Sequence, residues 1–193
     1  VNPAAIVSDG QKTVTESKQF LRSLVANGLD RLFKFSADSI FPVFFPDLKF
    51  NFSDSDESEN NYSHLIICSI VAKSFVGQLF INVNLNLLKQ SSKELSAQPD
   101  DVILKILNET SNQLLGIIAF NLNKLNLYGR VGLPLDIQRS TYSPGKLFVP
   151  SIKIHDASRA FMLKFGFLDT EGNQRLDFTK IKCEMPQDDV DFL

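Results

Sequence analysis

Between Pro99 and Leu127 the chain carries Lys105, Glu109, Asn112, Gly116 and Asn123. Their steps of four, three, four and seven are helical, so on a helix the five share one face. Glu109 and Asn112 then project side by side, about one turn apart. A carboxylate and a carboxamide so placed set a charged acceptor beside a group that donates and accepts without titrating. Gly116 costs a helix interior roughly 1 kcal/mol relative to Ala, and a side chain missing there marks a close approach by another backbone or a partner. Spacing alone carries little weight, because Glu and Asn on a solvated helix face need no function and a mid-helix Gly is more often packing.

Other groups with chemical potential are scattered. The two histidines, His64 and His155, fall in strand-like patterns and read as half-buried structural residues. Cys68 and Cys183 sit in apolar contexts without a C-x-x-C, which indicates neither a disulfide framework nor a zinc site. Ser140, Ser143 and His155 form no recognisable nucleophile and base, and there is no G-x-S-x-G. Neither G-x-x-x-x-G-K-[ST] nor G-x-G-x-x-G occurs, so no phosphate-cradling loop is expected. The acidic stretch 51–61 contains Asp54, Asp56, Glu57 and Glu59, but it lacks the glycine turn and spaced terminal Glu of a calcium loop.

The elements that must position the stripe can be read from periodicity. Thr13 to Phe35 places Phe20, Leu21, Leu24, Val25, Leu29, Leu32 and Phe33 at helical spacing, with Thr13 and Glu16 as a capping box and Pro42 and Pro46 as breakers. Runs His64–Ala72 and Phe75–Val83 are rich in β-branched and aromatic residues, with Lys73, Ser74 and Gly77 expected at the turn. A short helix is expected over Leu85–Leu95. Pro99 and Asp100 then open the long helix, which runs to about Leu127 and is stopped by Gly129, Gly132 and Pro134. Its core side comprises Ile103, Ile106, Leu107, Thr110, Leu114, Ile117, Ile118 and Leu125. Further strands are expected at Leu135–Arg139, Lys146–His155, Phe161–Leu168 and Asp177–Glu184.

With 193 residues, 44% hydrophobic, the chain can bury one sizeable core. The 22 acidic and 20 basic side chains nearly balance, which argues against a nucleic-acid or anionic-membrane surface. No apolar run approaches the ~18 residues of a membrane span, and Val1–Gln11 lacks the basic and apolar regions of a signal peptide. A reduced, cytoplasmic protein is the plain expectation. Its organisation reads as an N-terminal arm at 1–12, a single α+β domain at 13–185 with the acidic loop 51–61, and an acidic tail at 186–193. Seventeen Phe and no Trp point to a Phe-rich core.

The order of these parts resembles a known family. An N-terminal helix precedes a hairpin holding SFVGQLFINV, a short helix, the long helix with DDVILKILNETSNQLLG, then GLPLDIQRS and a strand ending in VPSIKI. This is similar to the CheC/CheX family of bacterial chemotaxis phosphatases, most nearly to its CheX branch, which carries one E-x-x-N-x-x-x-G motif. Glu109, Asn112 and Gly116 match that motif, Val76–Val83 matches the glycine-bearing hairpin, and Leu133–Pro134 matches the LP that opens a strand. The resemblance spans about 13 to 168, with Ile117 standing where the family often has Asn.

The resemblance implies an antiparallel sheet packed against long helices. It implies a phosphatase acting on the aspartyl phosphate of a CheY-like receiver domain in chemotaxis or two-component signalling. The Mg²⁺ and a conserved lysine would reside on the receiver, so no cofactor is expected on this chain. Asn112 would orient the attacking water and Glu109 would pair with the receiver's lysine, while Lys105 and Gly116 would lie on the partner-binding face. A homodimer joined edge to edge through the sheet is also implied. The alternative left open is a non-catalytic CheC-like module that binds, or is fused to, a receiver domain.

Overall fold

The computed structural model describes residues 28–54, 62–138, 151–155, 160–169 and 178–186. Chain order within these residues is α1 (Leu29–Phe44), β1 (Ser53–Asp54), β2 (His64–Ala72), β3 (Phe75–Val83), α2 (Leu85–Ser91), α3 (Asp100–Asn123), β4 (Gly129–Val131), β5 (Leu135–Gln138), β6 (Ser151–His155) and β7 (Phe161–Asp169), followed by a 3₁₀ turn at Phe178–Lys180.

The β-branched and aromatic runs form the hairpin that their composition demands. β2 and β3 pair antiparallel from His64 opposite Val83 to Val71 opposite Val76. The seven strands lie in the order β1-β6-β7-β3-β2-β4, with β5 also on β2, and every pairing is antiparallel. Alternation sends Ile66, Cys68, Ile70, Leu79, Ile81, Leu163 and Phe165 to the helix side, where all are buried. Gly77 belongs to this face because a β-carbon there would sit 3.0 Å from the Phe165 ring. On the opposite face Phe80 is half-buried, with the Lys164 ammonium 5.6 Å from its ring centroid.

Helix α1 buries Leu29, Leu32, Phe33, Ser36, Ala37, Ile40 and Phe41 at steps of three and four. Phe33 reaches the sheet at Phe165, ring centroids 5.6 Å apart. The expected helix began at Thr13, and residues 13–27 lie outside those described. At Gly28 the backbone turns left-handed (φ 82°), and α1 starts on the far side of that turn. Pro42 does not break the helix as expected. It falls in the last turn, where it forfeits one bond, to the carbonyl of exposed Asp38, and the Phe45 amide closes the helix onto Phe41 at 2.9 Å.

The Phe-rich composition becomes two aromatic clusters. Phe41 meets Phe45, Phe50, Phe52 and Phe161 with centroids 5.0–5.9 Å apart, three of the four edge-on. Phe167 stacks on Phe75 at 4.9 Å and receives Phe178 edge-on at 5.5 Å.

Several boundaries differ from the sequence reading. The loop expected at 51–61 starts later, because Ser53–Asp54 pairs with Ile154–His155 and Phe52 is buried; the rest of that loop falls outside the described residues. Helix α2 stops at Ser91 rather than Leu95. Ser92 turns extended and its Oγ accepts from the Leu95 amide at 3.1 Å, starting a separate turn. That hydroxyl is in turn fixed by Asp47, 2.8 Å from Oδ2.

Helix α3 ends at Asn123 before either glycine. Asn126 adopts φ 61°, the Leu127 amide donates to Leu122 O at 3.1 Å, and the Asn126 amide donates to Asn123 O at 2.9 Å, a left-handed Schellman stop.

The strand expected at Asp177–Glu184 is absent among its described residues. After the 3₁₀ turn, the backbone is held at Ile181 and Glu184 by side chains instead of a neighbouring strand. Arg31 Nη2 donates to Ile181 O at 2.8 Å, and the buried Asn121 carboxamide both donates to Glu184 O and accepts from Glu184 N at 3.0 Å. A helix amide here does the work of a strand partner.

Candidate functional site

Helix α3 lies across β2 and β4 and beside α1, and it carries the stripe from Lys105 to its last residue, Asn123. Pro99 precedes it with extended backbone, and Asp100 and Asp101 place their charges at the positive end of the helix dipole. The polar residues on its buried sides return their hydrogen bonds to the helix. Thr110 Oγ1 donates to Ile106 O at 2.8 Å and Ser111 Oγ donates to Asn108 O at 2.7 Å. Thr110 and Ser111 are buried, and Glu109, which directly precedes them, faces out.

Glu109 is exposed, and the Gln113 amide one turn on donates to its Oε1 at 2.9 Å. Lys105 is exposed one turn earlier and pairs with Asp101 at 3.7 Å. Asn112 is half-buried and faces the sheet edge. Its Oδ1 lies 3.7 Å from the Cys68 sulfur on β2, within reach of a thiol donor. The same sulfur is 3.0 Å from the carbonyl of Gly132, in the turn between β4 and β5. That turn is anchored by the Gly132 amide, which donates to Ser69 O at 2.8 Å. Burial pushes the Cys68 thiol up to about 11, against a small opposing effect of the Ser69 amide, so the sulfur is a protonated donor at neutral pH.

The five residues that share a face by spacing are not open to solvent along its whole length. Gly116 shares the Lys105 face but is buried, and Asn123 is half-buried at the helix end. The reason is local. Leu114, Leu115, Gly116, Ile117, Ile118 and Ala119 are buried in succession, more than a full turn, so this part of α3 has no open side. Gly116 is thus a position inside the fold, not a surface for a partner to touch. Lys105, Glu109 and Asn112 form the accessible part of the stripe. The run LLGIIA itself carried the signal, since a helix apolar all round is a buried one.

Two participants were not singled out from sequence as part of this site. Cys68 looked like one more small apolar strand residue, and only the packing of α3 on β2 brings it to Asn112. Gly132 looked like a helix stop, whereas its carbonyl faces the Cys68 thiol. Next to it, Leu133 is 91% exposed, and Leu135 is exposed as well. His64 is half-buried with Nδ1 3.1 Å from Ser63 Oγ, His155 lies in β6, and Ser140 and Ser143 fall outside the described residues. Cys68 and Cys183 are free thiols. Among the described residues no group of three or more His, Cys, Asp or Glu is placed to hold a metal ion, and no helix is long and apolar enough to cross a membrane.

Comparison with known family models gives no match, and comparison with curated protein sequences gives none either. Solved structures do match. Chemotaxis protein CheX from Vibrio vulnificus is similar over 71% of this chain and 97% of its own, with a TM-score of 0.56 at 12% identity. A CheC-like superfamily protein from Shewanella sp. PV-4 is similar over 72% of this chain and 96% of its own, with a TM-score of 0.57 at 13% identity. The CheX–CheY–BeF3–Mg²⁺ complex from Borrelia burgdorferi matches over 72% of this chain and 97% of that one, with a TM-score of 0.54 at 10% identity. The antiparallel sheet packed against helices, with α3 across its β2–β4 edge, is the CheC/CheX-like fold.

Proposed function

We propose that this chain is a CheX-like phosphatase that hydrolyses the aspartyl phosphate of a CheY-like receiver domain. The observation that carries the reading is the pairing of exposed Glu109 with reachable Asn112 on one turn of the long helix. That one similar structure is a CheX–CheY complex supports the choice of partner.

Phosphoryl transfer needs positioning and charge stabilisation more than covalent help from the protein. Asn112 would hold a water in line with the phosphorus. The water's oxygen forms the new P–O bond, the bond to the aspartyl oxygen breaks, and inorganic phosphate leaves with the receiver carboxylate restored. Glu109, one oxygen already held by Gln113, presents its remaining lone pairs to a lysine of the receiver. Lys105 extends the same accessible row and would meet acidic groups at the rim. The metal belongs to the receiver in this reading. A second copy of the chain is proposed to pair along the β4–β5 edge, where Leu133 and Leu135 are exposed; a single 21.7 kDa species in sedimentation at micromolar concentration removes that part.

The test is the lifetime of a receiver phosphorylated with acetyl phosphate in Mg²⁺, with and without this protein. Wild type should shorten it, and Asn112→Ala should remove most of the gain, about 10-fold or more in kcat. Glu109→Ala should first weaken association, and increasingly so with salt. A receiver that binds while its phosphoryl lifetime stays unchanged would favour the non-catalytic binding module.

A further inference from the structure

We infer that Cys68 is a positioning residue for Asn112, its thiol holding the carboxamide with Oδ1 inward and Nδ2 toward the partner. This rests on the phosphatase reading of Asn112, and it extends that reading to a residue on a different element.

The geometry is a three-way meeting. The Cys68 sulfur lies 3.0 Å from Gly132 O and 3.7 Å from Asn112 Oδ1, so its single S–H proton is shared between two oxygens in a three-centre bond, with Gly132 O on the shorter arm and Asn112 Oδ1 on the longer. A thiol is a useful donor and a poor acceptor at such a point. Rotating the Asn112 amide by half a turn would aim an N–H at that sulfur, a poor acceptor, and leave the S–H facing a donor. The orientation with Oδ1 inward is therefore preferred, and it leaves both Nδ2 hydrogens for the accessible side. Burial of Cys68 (1% exposed) keeps water from competing for Oδ1. The proton is retained across the physiological range, since the same burial raises the thiol. The Gly132 turn is itself tied to β2 through the Ser69 carbonyl, so the sulfur sits on a fixed backbone. Pre-organisation of this kind shows in kcat, because a freely rotating amide presents the right face only part of the time.

The experiment uses Cys68→Ala and Cys68→Ser in the full chain, each checked for a wild-type melting profile. Two readouts are taken: steady-state dephosphorylation of the acetyl-phosphate-loaded receiver, and the side-chain NH₂ resonances of Asn112, assigned by their loss in Asn112→Ala. Expected is a kcat lowered roughly three- to tenfold in Cys68→Ala with KM unchanged. The Asn112 NH₂ pair should move toward free-amide values, and Cys68→Ser, which restores a donor, should recover both. An NH₂ pair that does not move in Cys68→Ala overturns the inference. So does Cys68→Ser behaving like Cys68→Ala although both melt as wild type, which would mark a packing role only. Should wild type fail to speed dephosphorylation, the phosphatase reading falls. The resonances then decide the orientation claim alone, a moved and serine-rescued pair supporting it and an unmoved pair ending it.

Discussion

Replacing Asn121 should loosen the C-terminal segment around Glu184 from the body of the fold, at a cost set by the hydrogen bonds its carboxamide makes. The Asn121 carboxamide is 1% exposed, donates to Glu184 O and accepts from Glu184 N at 3.0 Å, and donates to Ile117 O at 2.8 Å. The last bond is a back-bond to a carbonyl of its own helix and counts for little. The other two, at about 1 kcal/mol each, give a loss near 2 kcal/mol for Asn121→Ala. A small void adds to this, and rehydration of the freed backbone subtracts. Asn121→Asp should be worse at pH 7. It keeps an acceptor for the Glu184 amide but turns a buried anion onto the Glu184 carbonyl, so the loss should reach about 3 kcal/mol or more. Lowering the pH protonates that carboxyl, restores a donor, and should narrow the gap between the Asp variant and wild type. Urea unfolding at pH 7 and pH 4, with amide exchange at 181–184, measures all of this. Losses below about 0.5 kcal/mol for both variants, with unchanged exchange, would refute the claim that the Asn121 amide substitutes for a strand partner.

Three further outcomes follow from other contacts. Burial is the largest single influence on the Asp47 carboxyl and raises it, but bonds from the Ser92 hydroxyl and the Glu94 and Lys93 amides together outweigh it and hold the group below its usual range. Asp47→Ala should cost about 0.5–1 kcal/mol at pH 7, the exposure of the site limiting it, and the difference should vanish as pH falls through the lowered carboxyl value, as urea titrations at pH 7 and below pH 3 would show. The Cys68 thiol, raised from about 9 to about 11, should resist iodoacetamide at pH 8 in the folded protein and react in urea. Because the unfolded chain ionises first, stability should fall as pH rises from about 9 through 11, and a Cys68→Ala variant should lack that decline. A β-carbon at Gly129 would press into Ile70 Cγ2 and lie 3.3 Å from the Phe75 ring, so Gly129→Ala should cost about 1–3 kcal/mol in thermal or urea unfolding.

The parts of this fold most legible in sequence were those with strong local signals. β2 and β3 could be bounded from their β-branched content, and α3 could be started from Pro99 and its two aspartates. What escaped depended on competition between local rules and distant partners. Pro42 is a breaker on propensity, yet near a helix end it forfeits only one bond. Asn126 stops α3 because Asn tolerates a left-handed turn, while the more conspicuous Gly129 serves packing against Ile70. The segment at Ile181–Glu184 has strand-like residues, but whether it pairs with a strand or with side chains depends on Arg31 and Asn121, far away in the chain. The candidate site shows the same division. Glu109 and Asn112 stood out by spacing, Gly116 was misread because the apolar run around it was not weighed, and Cys68 had no local mark at all.

The position of β7 has a consequence for how the chain reaches this fold. β3 is flanked by β2, its immediate neighbour in sequence, and by β7, which begins only at Phe161. The first pairing needs a two-residue turn and can form on the microsecond scale of isolated hairpins. The second runs through nine registered positions, from Phe75 opposite Asp169 to Val83 opposite Phe161, and must close a loop containing α2, α3, β4, β5 and β6. Closure entropy rises only slowly with loop length, but it is spent before any of those pairs is made. High contact order is thus built into the middle of the sheet, not its rim, and places the fold among slow-folding topologies. Until β7 arrives, β3 is an unpaired hydrophobic edge, so the interval before its docking is when the nascent protein is most exposed to aggregation.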